Sequence, residues 1–224
     1  MPTSPPARTI IVGDIHGCID ELRDLLSAVA LRPEDHLVTL GDTISKGPDS
    51  RGVLEFLLTR PRTTCLLGNM EWRLLQADRE DCLHTLPEAL RETLESFGRE
   101  WPRLREAMRR WPLWHSEVEH LCVHAGLRPG RRLEDQTAYD LLHIRRVKGR
   151  QGSCPVTLSK PWWELHTGPP VVVFGHTPMP SPLVSRWALG LDTGCVTGGH
   201  LTALVLPERR LIQVPARRAY AGPA

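Results

Sequence analysis

TIIVGDIHGCIDELRDLLSAVA, residues 9–30, joins a β-branched run to an amphipathic one across a loop that carries an aspartate, a histidine and two glycines. Thr9 to Val12 reads as a short strand. From Asp20 to Ala30 the apolar residues Leu22, Leu25, Leu26 and Val29 recur along one helical face, which predicts a helix. His36 to Leu40 is strand-like again, and strand, helix, strand predicts a parallel unit of an α/β fold. Asp14 and His16 then lie just past the carboxyl end of the first strand, where α/β proteins gather functional groups.

The alternation continues outward from this segment. Val53 to Leu58 predicts a helix, Thr64 to Leu67 a strand, and Pro87 to Trp111 a helical stretch broken near Gly98 and Pro102. Strands are then predicted at His120 to Val123, Val171 to Phe174, Ala188 to Leu191, Leu201 to Leu206 and Arg210 to Val214, the last two as a hairpin across Pro207 and Glu208. There is no internal repeat. The Pro-rich start (Pro2, Pro5, Pro6) and the segment after Pro215 are expected to be flexible, leaving one domain over 8–215 with short termini at 1–7 and 216–224.

With 224 residues and 41% apolar content the chain suits a single core, burying roughly 70–75% of its unfolded surface. A net charge of +2 does not announce a polyanion partner, and the absence of a basic stripe with interleaved aromatics speaks against a nuclease. No stretch approaches a membrane span, and the first residues lack the pattern of a secretory leader. Cys18, Cys65, Cys82, Cys122, Cys154 and Cys195 form no CxxC pair and read as reduced core residues, so a cytoplasmic protein without a membrane partner is expected.

Five predicted strands end in the same way, a small residue beside a side chain able to bind metal: Gly13-Asp14-Ile15-His16-Gly17, Gly41-Asp42, Gly68-Asn69, His124-Ala125-Gly126 and Gly175-His176-Thr177. Singly, an aspartate after a strand is usually a turn former and a histidine usually a hydrogen-bonded core residue. Five tips with one grammar point instead to convergence on one crevice. Carboxylate, imidazole and amide donors without thiolates suit manganese, iron or zinc, and an aspartate between two ions can bridge them.

In order and in context these motifs resemble those of the calcineurin-like metallophosphoesterases. The match lies in the branch of phosphoprotein phosphatases and symmetrical bis(5'-nucleosyl)-tetraphosphatases, and it runs from Ile10 to about Val214. It implies two mixed β-sheets packed as a sandwich flanked by helices in a single α/β domain. It also implies two divalent ions, manganese first with iron or zinc as alternatives. Asp14, His16 and bridging Asp42 would hold one ion, and Asp42, Asn69, His124 and His176 the other, with direct attack by a metal-activated water. LDTGCVTGGHLTALVLP (191–207) resembles the tetraphosphatases, whereas LLHIRR (141–146) and PWWELHTGPPVVVFGHT (161–177) resemble compact bacterial serine/threonine phosphatases. The implied substrate is a phosphorylated small molecule, a dinucleoside polyphosphate or a phosphoprotein.

Three positions depart from the family pattern. Met70 stands where the family has a histidine taken as the acid for the leaving oxygen, and Ser45 and Lys46 stand where it often has an orienting aspartate and a phosphate-binding arginine. Methionine cannot donate a proton. Three readings follow: a substrate whose leaving group needs no acid, a replacement acid at His143, His115 or His200, or a weakly active or non-catalytic phosphate-binding module. Lys46 keeps the charge without the bidentate fork, and Arg145 is the candidate to supply it, with Asp42 activating water. Arg146, Lys148 and Arg150 read as a solvated loop, and Trp162 and Trp163 read either as a base-stacking pair or as packing for a loop. The balance favours tetraphosphatase-like hydrolysis of phosphoanhydride or phosphomonoester bonds, with serine/threonine protein phosphatase activity as the alternative.

Overall fold

The computed structural model describes residues 7–117, 119–151 and 154–222, with the side chains of residues 149–151 and 154–158 outside the description. Pro2, Pro5 and Pro6, and the side chains of Arg150 and Cys154, therefore lie outside the described residues. The first half of the chain runs β1 (Thr9–Val12), α1 (Ile19–Ala28), β2 (His36–Thr39), α2 (Ser50–Thr59), β3 (Thr63–Cys65), α3 (Asn69–Arg79), α4 (Glu88–Phe97) and α5 (Trp101–Met108). The second half is richer in strands. It runs β4 (Trp114–Ser116), β5 (His120–Val123), α6 (Ala138–His143), β6 (Arg146–Gln151), β7 (Cys154–Pro161), α7 (Trp162–Leu165), β8 (Val171–Phe174), β9 (Leu183–Val184), β10 (Ala188–Gly190), β11 (Asp192–Thr193), β12 (His200–Leu206) and β13 (Arg210–Pro215).

Two mixed sheets carry the fold. The first has the order β11-β12-β1-β2-β3, with β13 also paired to β12; the second has the order β4-β5-β8-β10-β9. β1, β2 and β3 are parallel, as are β5, β8 and β10, so the carboxyl ends within each set point the same way.

Alternation along the strands explains the layering. Ile11, Val38, Leu204, Cys122, Val173 and Leu189 turn into one buried cluster between the sheets. Their neighbours Ile10, Val12, Leu37 and Val205 turn the other way onto Leu22 and Leu25 of α1, while Leu121, Val123, Val172 and Phe174 pack on Leu141 and Trp162. Both faces of each central strand are therefore covered, and each large side chain so buried contributes about 1.5–3 kcal/mol. A fourth cluster, with Leu54, Leu74, Leu90, Phe97, Leu104 and Met108, joins α2 to α5 beside the first sheet.

The sandwich flanked by helices is the architecture expected from the sequence. Strands β1, β5 and β8 fall on the residues predicted for them, and the helical stretch after Pro87 divides at Gly98–Glu100, a single 3₁₀ turn. Two expectations are corrected. The basic run at Arg146 is not a loop but the first strand of a hairpin, in which Arg146 Nε donates to Ser159 Oγ at 3.1 Å.

The segment after Pro215 is not loose over its described part. Arg217 N donates to Glu21 Oε1 at 3.0 Å, Tyr220 Oη donates to the same oxygen at 2.8 Å, and Ala216, Tyr220 and Ala221 pack on the α1 cluster. Glu21 is fully buried, and its carboxylate on the first turn of α1 gives the tail its anchor. Cys18, Cys65, Cys122 and Cys195 are buried free thiols and Cys82 is a half-buried one.

Candidate metal centre at the strand tips

Asp14 and His16 follow β1, Asp42 follows β2, Asn69 opens α3 after β3, His124 follows β5 and His176 follows β8. The five tips converge. Asp14, His16 and Asp42 bring ligand atoms within 4.8 Å of one another, and so do Asp42, His124 and His176, so that Asp42 is common to both clusters. Its Oδ2 lies 3.6 Å from His16 Nε2 and its Oδ1 lies 3.5 Å from His124 Nε2, one oxygen towards each cluster.

Backbone geometry makes this approach feasible only with particular residues. His16, Asp42 and His176 all have positive φ, at 48°, 46° and 61°, a region that costs a non-glycine residue about 1–3 kcal/mol. The bend turns each side chain off the strand axis and into the crevice. A Cβ on Gly41 would stand 2.6 Å from Gly68 Cα, and one on Gly175 would collide with Asp14 Oδ1, so the small residues beside the ligands are what let neighbouring tips touch.

The shape of the Asp42 loop is held from below by Glu71, on the first turn of α3. Its buried carboxylate accepts from the backbone N–H groups of Asp42 (3.0 Å), Thr43 (2.7 Å), Ile44 (3.2 Å) and Gly68 (3.0 Å), and from Thr43 Oγ1 (2.9 Å). Met70 N donates to Asp42 Oδ1 at 2.9 Å, and His176 N donates to the Asp14 carboxylate at 3.1 Å.

The donor set has the chemistry of a cation site. Nδ1 of His16 donates to Ile44 O at 3.1 Å and Nδ1 of His124 donates to Leu40 O at 2.8 Å, which leaves the Nε2 lone pair of each ring facing inward. His124 Nε2 is then 2.7 Å from Asn69 Oδ1, and His176 Nδ1 is 2.8 Å from the same oxygen. Potential ligand atoms from Asn69, His124 and His176 thus converge on one point, within hydrogen-bond distance of one another.

Electrostatics say the same. Burial, with the charges of Asp192 and Asp42, pushes the Asp14 carboxyl well above the usual carboxylate range, and burial above all raises Asp42 to about 7. Burial also lowers His16 to about 3, His124 to about 4 and His176 to about 2, so the imidazoles are neutral at pH 7. Buried carboxylates among neutral imidazoles are stabilised by divalent ions, and the residues fit such a pair.

Lys46 and Arg145 border the same cavity of about 70 Å³, along with Met70. Arg145 lies against His176, its Nε 3.3 Å from Nε2 and its Nη2 3.2 Å from the carbonyl. Ser45 is buried, and its N–H is held by Ser50 Oγ at 2.9 Å. Of the histidines considered as replacement acids, His143 has its ring centroid 6.3 Å from that of His176. His115 instead contacts His36 and Glu117, away from the cavity, and His200 is exposed at the start of β12.

Trp162 is fully buried, with Nε1 donating to Ala125 O at 3.0 Å, and Trp163 stacks on Phe174 at 5.2 Å. The tandem tryptophans thus pack α7 onto the second sheet, as the packing reading expects.

One site residue escaped the sequence reading. Asp192 lines the cavity, is 8% exposed and has a carboxyl raised by burial. Its signal was present as Gly190-Leu191-Asp192-Thr193, another strand end with a glycine and an aspartate.

Comparison with known proteins agrees with this geometry. Residues 7–202 match the model of the calcineurin-like phosphoesterase family. The asymmetrical bis(5'-nucleosyl)-tetraphosphatase PrpE of Halalkalibacterium halodurans is 28% identical, with 93% of this chain and 94% of that protein aligned. The symmetrical bis(5'-nucleosyl)-tetraphosphatase of Dechloromonas aromatica is also 28% identical, over 92% of this chain and 95% of its own. A crystal structure of a provisionally named diadenosine tetraphosphatase superposes with a TM-score of 0.78 and 31% identity, covering 94% of both chains. The family match over residues 7–202, with the shared fold, makes this chain a member of the calcineurin-like phosphoesterase family.

Proposed function

We propose that the protein hydrolyses phosphoanhydride bonds of dinucleoside polyphosphates at a two-metal centre, with Asp14, His16 and Asp42 binding one ion and Asp42, Asn69, His124 and His176 the other. The carrying observation is the pair of ligand clusters that share Asp42. Carboxylate, imidazole and amide donors without a thiolate favour manganese, with iron or zinc also suited. Such ions, when bound, polarise a phosphoryl oxygen and lower the pKa of a water.

The chain's own groups do the rest. Leu40 and Ile44 carbonyls fix the ring orientation of His124 and His16, and Asp42 presents one oxygen to each cluster. Lys46 and Arg145 border the cavity from which a phosphate would approach and would bind its remaining oxygens. Met70 supplies no proton there. A nucleotide leaving as a phosphate anion has a pKa of about 6 and departs without one, whereas a serine alkoxide is far more basic.

Lys46 also borders a second cavity of about 540 Å³, flanked by Glu88, Glu92 and Tyr220, with room for more than a phosphate. The tetraphosphatase names of the relatives support the same substrate class.

The test compares hydrolysis of diadenosine tetraphosphate, p-nitrophenyl phosphate and a phosphoserine peptide by purified protein with manganese. Turnover of the first two and little of the third is expected, and Asp42→Asn or Asn69→Ala should each lower metal-dependent turnover on the order of 10²-fold or more. Unchanged turnover in both variants would sink the assignment of the centre. Preference for the phosphopeptide would sink the substrate.

A further inference from the structure

Beside the amino ends of β2 and β5, away from the tips just described, lies a second group of ligand-type side chains. His36 opens β2 in the first sheet, His115 is the middle residue of β4 in the second, and Glu117 follows β4. At about 3.3 Å per residue, His36 is roughly 13 Å of strand from Leu40, where the turn into Asp42 begins. None of the three borders the strand-tip cavity.

The donor atoms of these residues lie within 4.8 Å of one another. Glu117 Oε1 is 3.4 Å from His36 Nδ1 and 3.0 Å from His115 Nε2. Zinc binds nitrogen and carboxylate ligands at about 2.0–2.2 Å, so two ligands of a tetrahedral site stand about 3.3 Å apart. The observed spacings bracket that value, and the two imidazole rings meet nearly edge to face at 83°, which aims two nitrogens at one oxygen from different directions.

The surroundings orient the set. Thr64 Oγ1 lies 2.9 Å from His36 Nε2; as an acceptor there it fixes the tautomer that leaves a lone pair on Nδ1, facing the carboxylate. Burial and the neighbouring His115 lower the His36 pKa, which keeps that ring in its neutral, ligand form at pH 7. Thr9 Oγ1 donates to Glu117 Oε1 at 3.3 Å, adding a contact from β1. All three side chains are half-buried, so a fourth position is open to water, and Thr64 and His115 also border a cavity of about 540 Å³.

We propose that His36, His115 and Glu117 bind one zinc-class divalent ion that clamps the first sheet to the second, a site separate from the two-metal centre. Binding to the folded state alone would raise stability in proportion to the logarithm of the free ion concentration.

The test measures metal content. Metal-stripped full-length protein is equilibrated with zinc, freed of excess ion and analysed for zinc per chain beside His115→Gln and Glu117→Gln. Each variant should retain one ion fewer than the wild type. Equal zinc content in all three, with superimposable circular dichroism, overturns the proposal.

A second arm starts from a variant of the strand-tip centre. Asp42→Asn weakens the strand-tip centre, and its melting temperature should still rise with zinc. Adding His115→Gln to that variant should reduce the rise, and an equal rise in both overturns the clamp.

Discussion

Met70 puts a thioether at the mouth of the site while its backbone N–H holds Asp42, so the position is split between a structural task it keeps and a chemical one it lacks. Replacing the side chain alone separates the two. Met70→His is expected to raise turnover of a phosphoserine peptide by about 10²-fold, within the span of general acid catalysis, and to change anhydride turnover by less than about 2-fold. Steady-state kinetics on both substrates check this, and equal gains on both would remove the leaving-group explanation. At this scale most of the site was legible in the sequence, because Asp14, Asp42 and Asn69 each follow a strand with a glycine in front. Asp192 was less visible because its glycine stands two places back, and its proximity to Asp14 arises only when β11 pairs with β12.

Between elements, the first parallel unit depends on Asp35, which lies in the turn from α1 to β2. Its carboxylate accepts from Arg8 Nη2 at 2.6 Å and Arg32 Nη2 at 2.7 Å, and from both backbone N–H groups at 3.1 and 2.9 Å, tying the entry of β1 to the entry of β2. Burial pushes this carboxyl up, but the two guanidinium groups and the N–H donors outweigh it and hold it below the usual carboxylate range. Asp35→Asn should cost about 2–4 kcal/mol at pH 7, read from urea unfolding. The folded pKa is depressed, so this stabilisation is complete above the unfolded value near 4 and fades as pH falls through the folded one. The stabilities of wild type and variant should therefore converge below about pH 4, and a constant difference down to pH 2 would contradict the clamp. Long periodic elements such as α1 and α4 were readable from their apolar spacing. Short ones such as β4, β9, β11, α6 and α7 span two to six residues and owe their form to partners distant in sequence.

For the molecule as a whole, the chain closes on itself where the end of the sequence meets the first helix. Arg217 reaches Asp20 at 2.9 Å and Asp24 at 3.0 Å, while Tyr220 covers the buried Glu21 carboxylate. Glycine, proline and arginine content made this segment read as loose, and the acidic first turn that binds it is nearly two hundred positions away in sequence. Removing residues 216–224 is expected to lower stability by about 2–4 kcal/mol, and Tyr220→Phe by about 1 kcal/mol, both measured by urea unfolding. An unchanged midpoint in the truncated chain would show the contact to be passive.

The five donors gathered by Glu71 carry a consequence for how the centre is supplied. The loop at residues 42–44 takes its shape from a protein carboxylate, so the cradle stands ready before any ion arrives. For the proposed pair of ions this means preorganisation: loading would need little refolding of residues 42–44, because Glu71 and not the metal sets their shape.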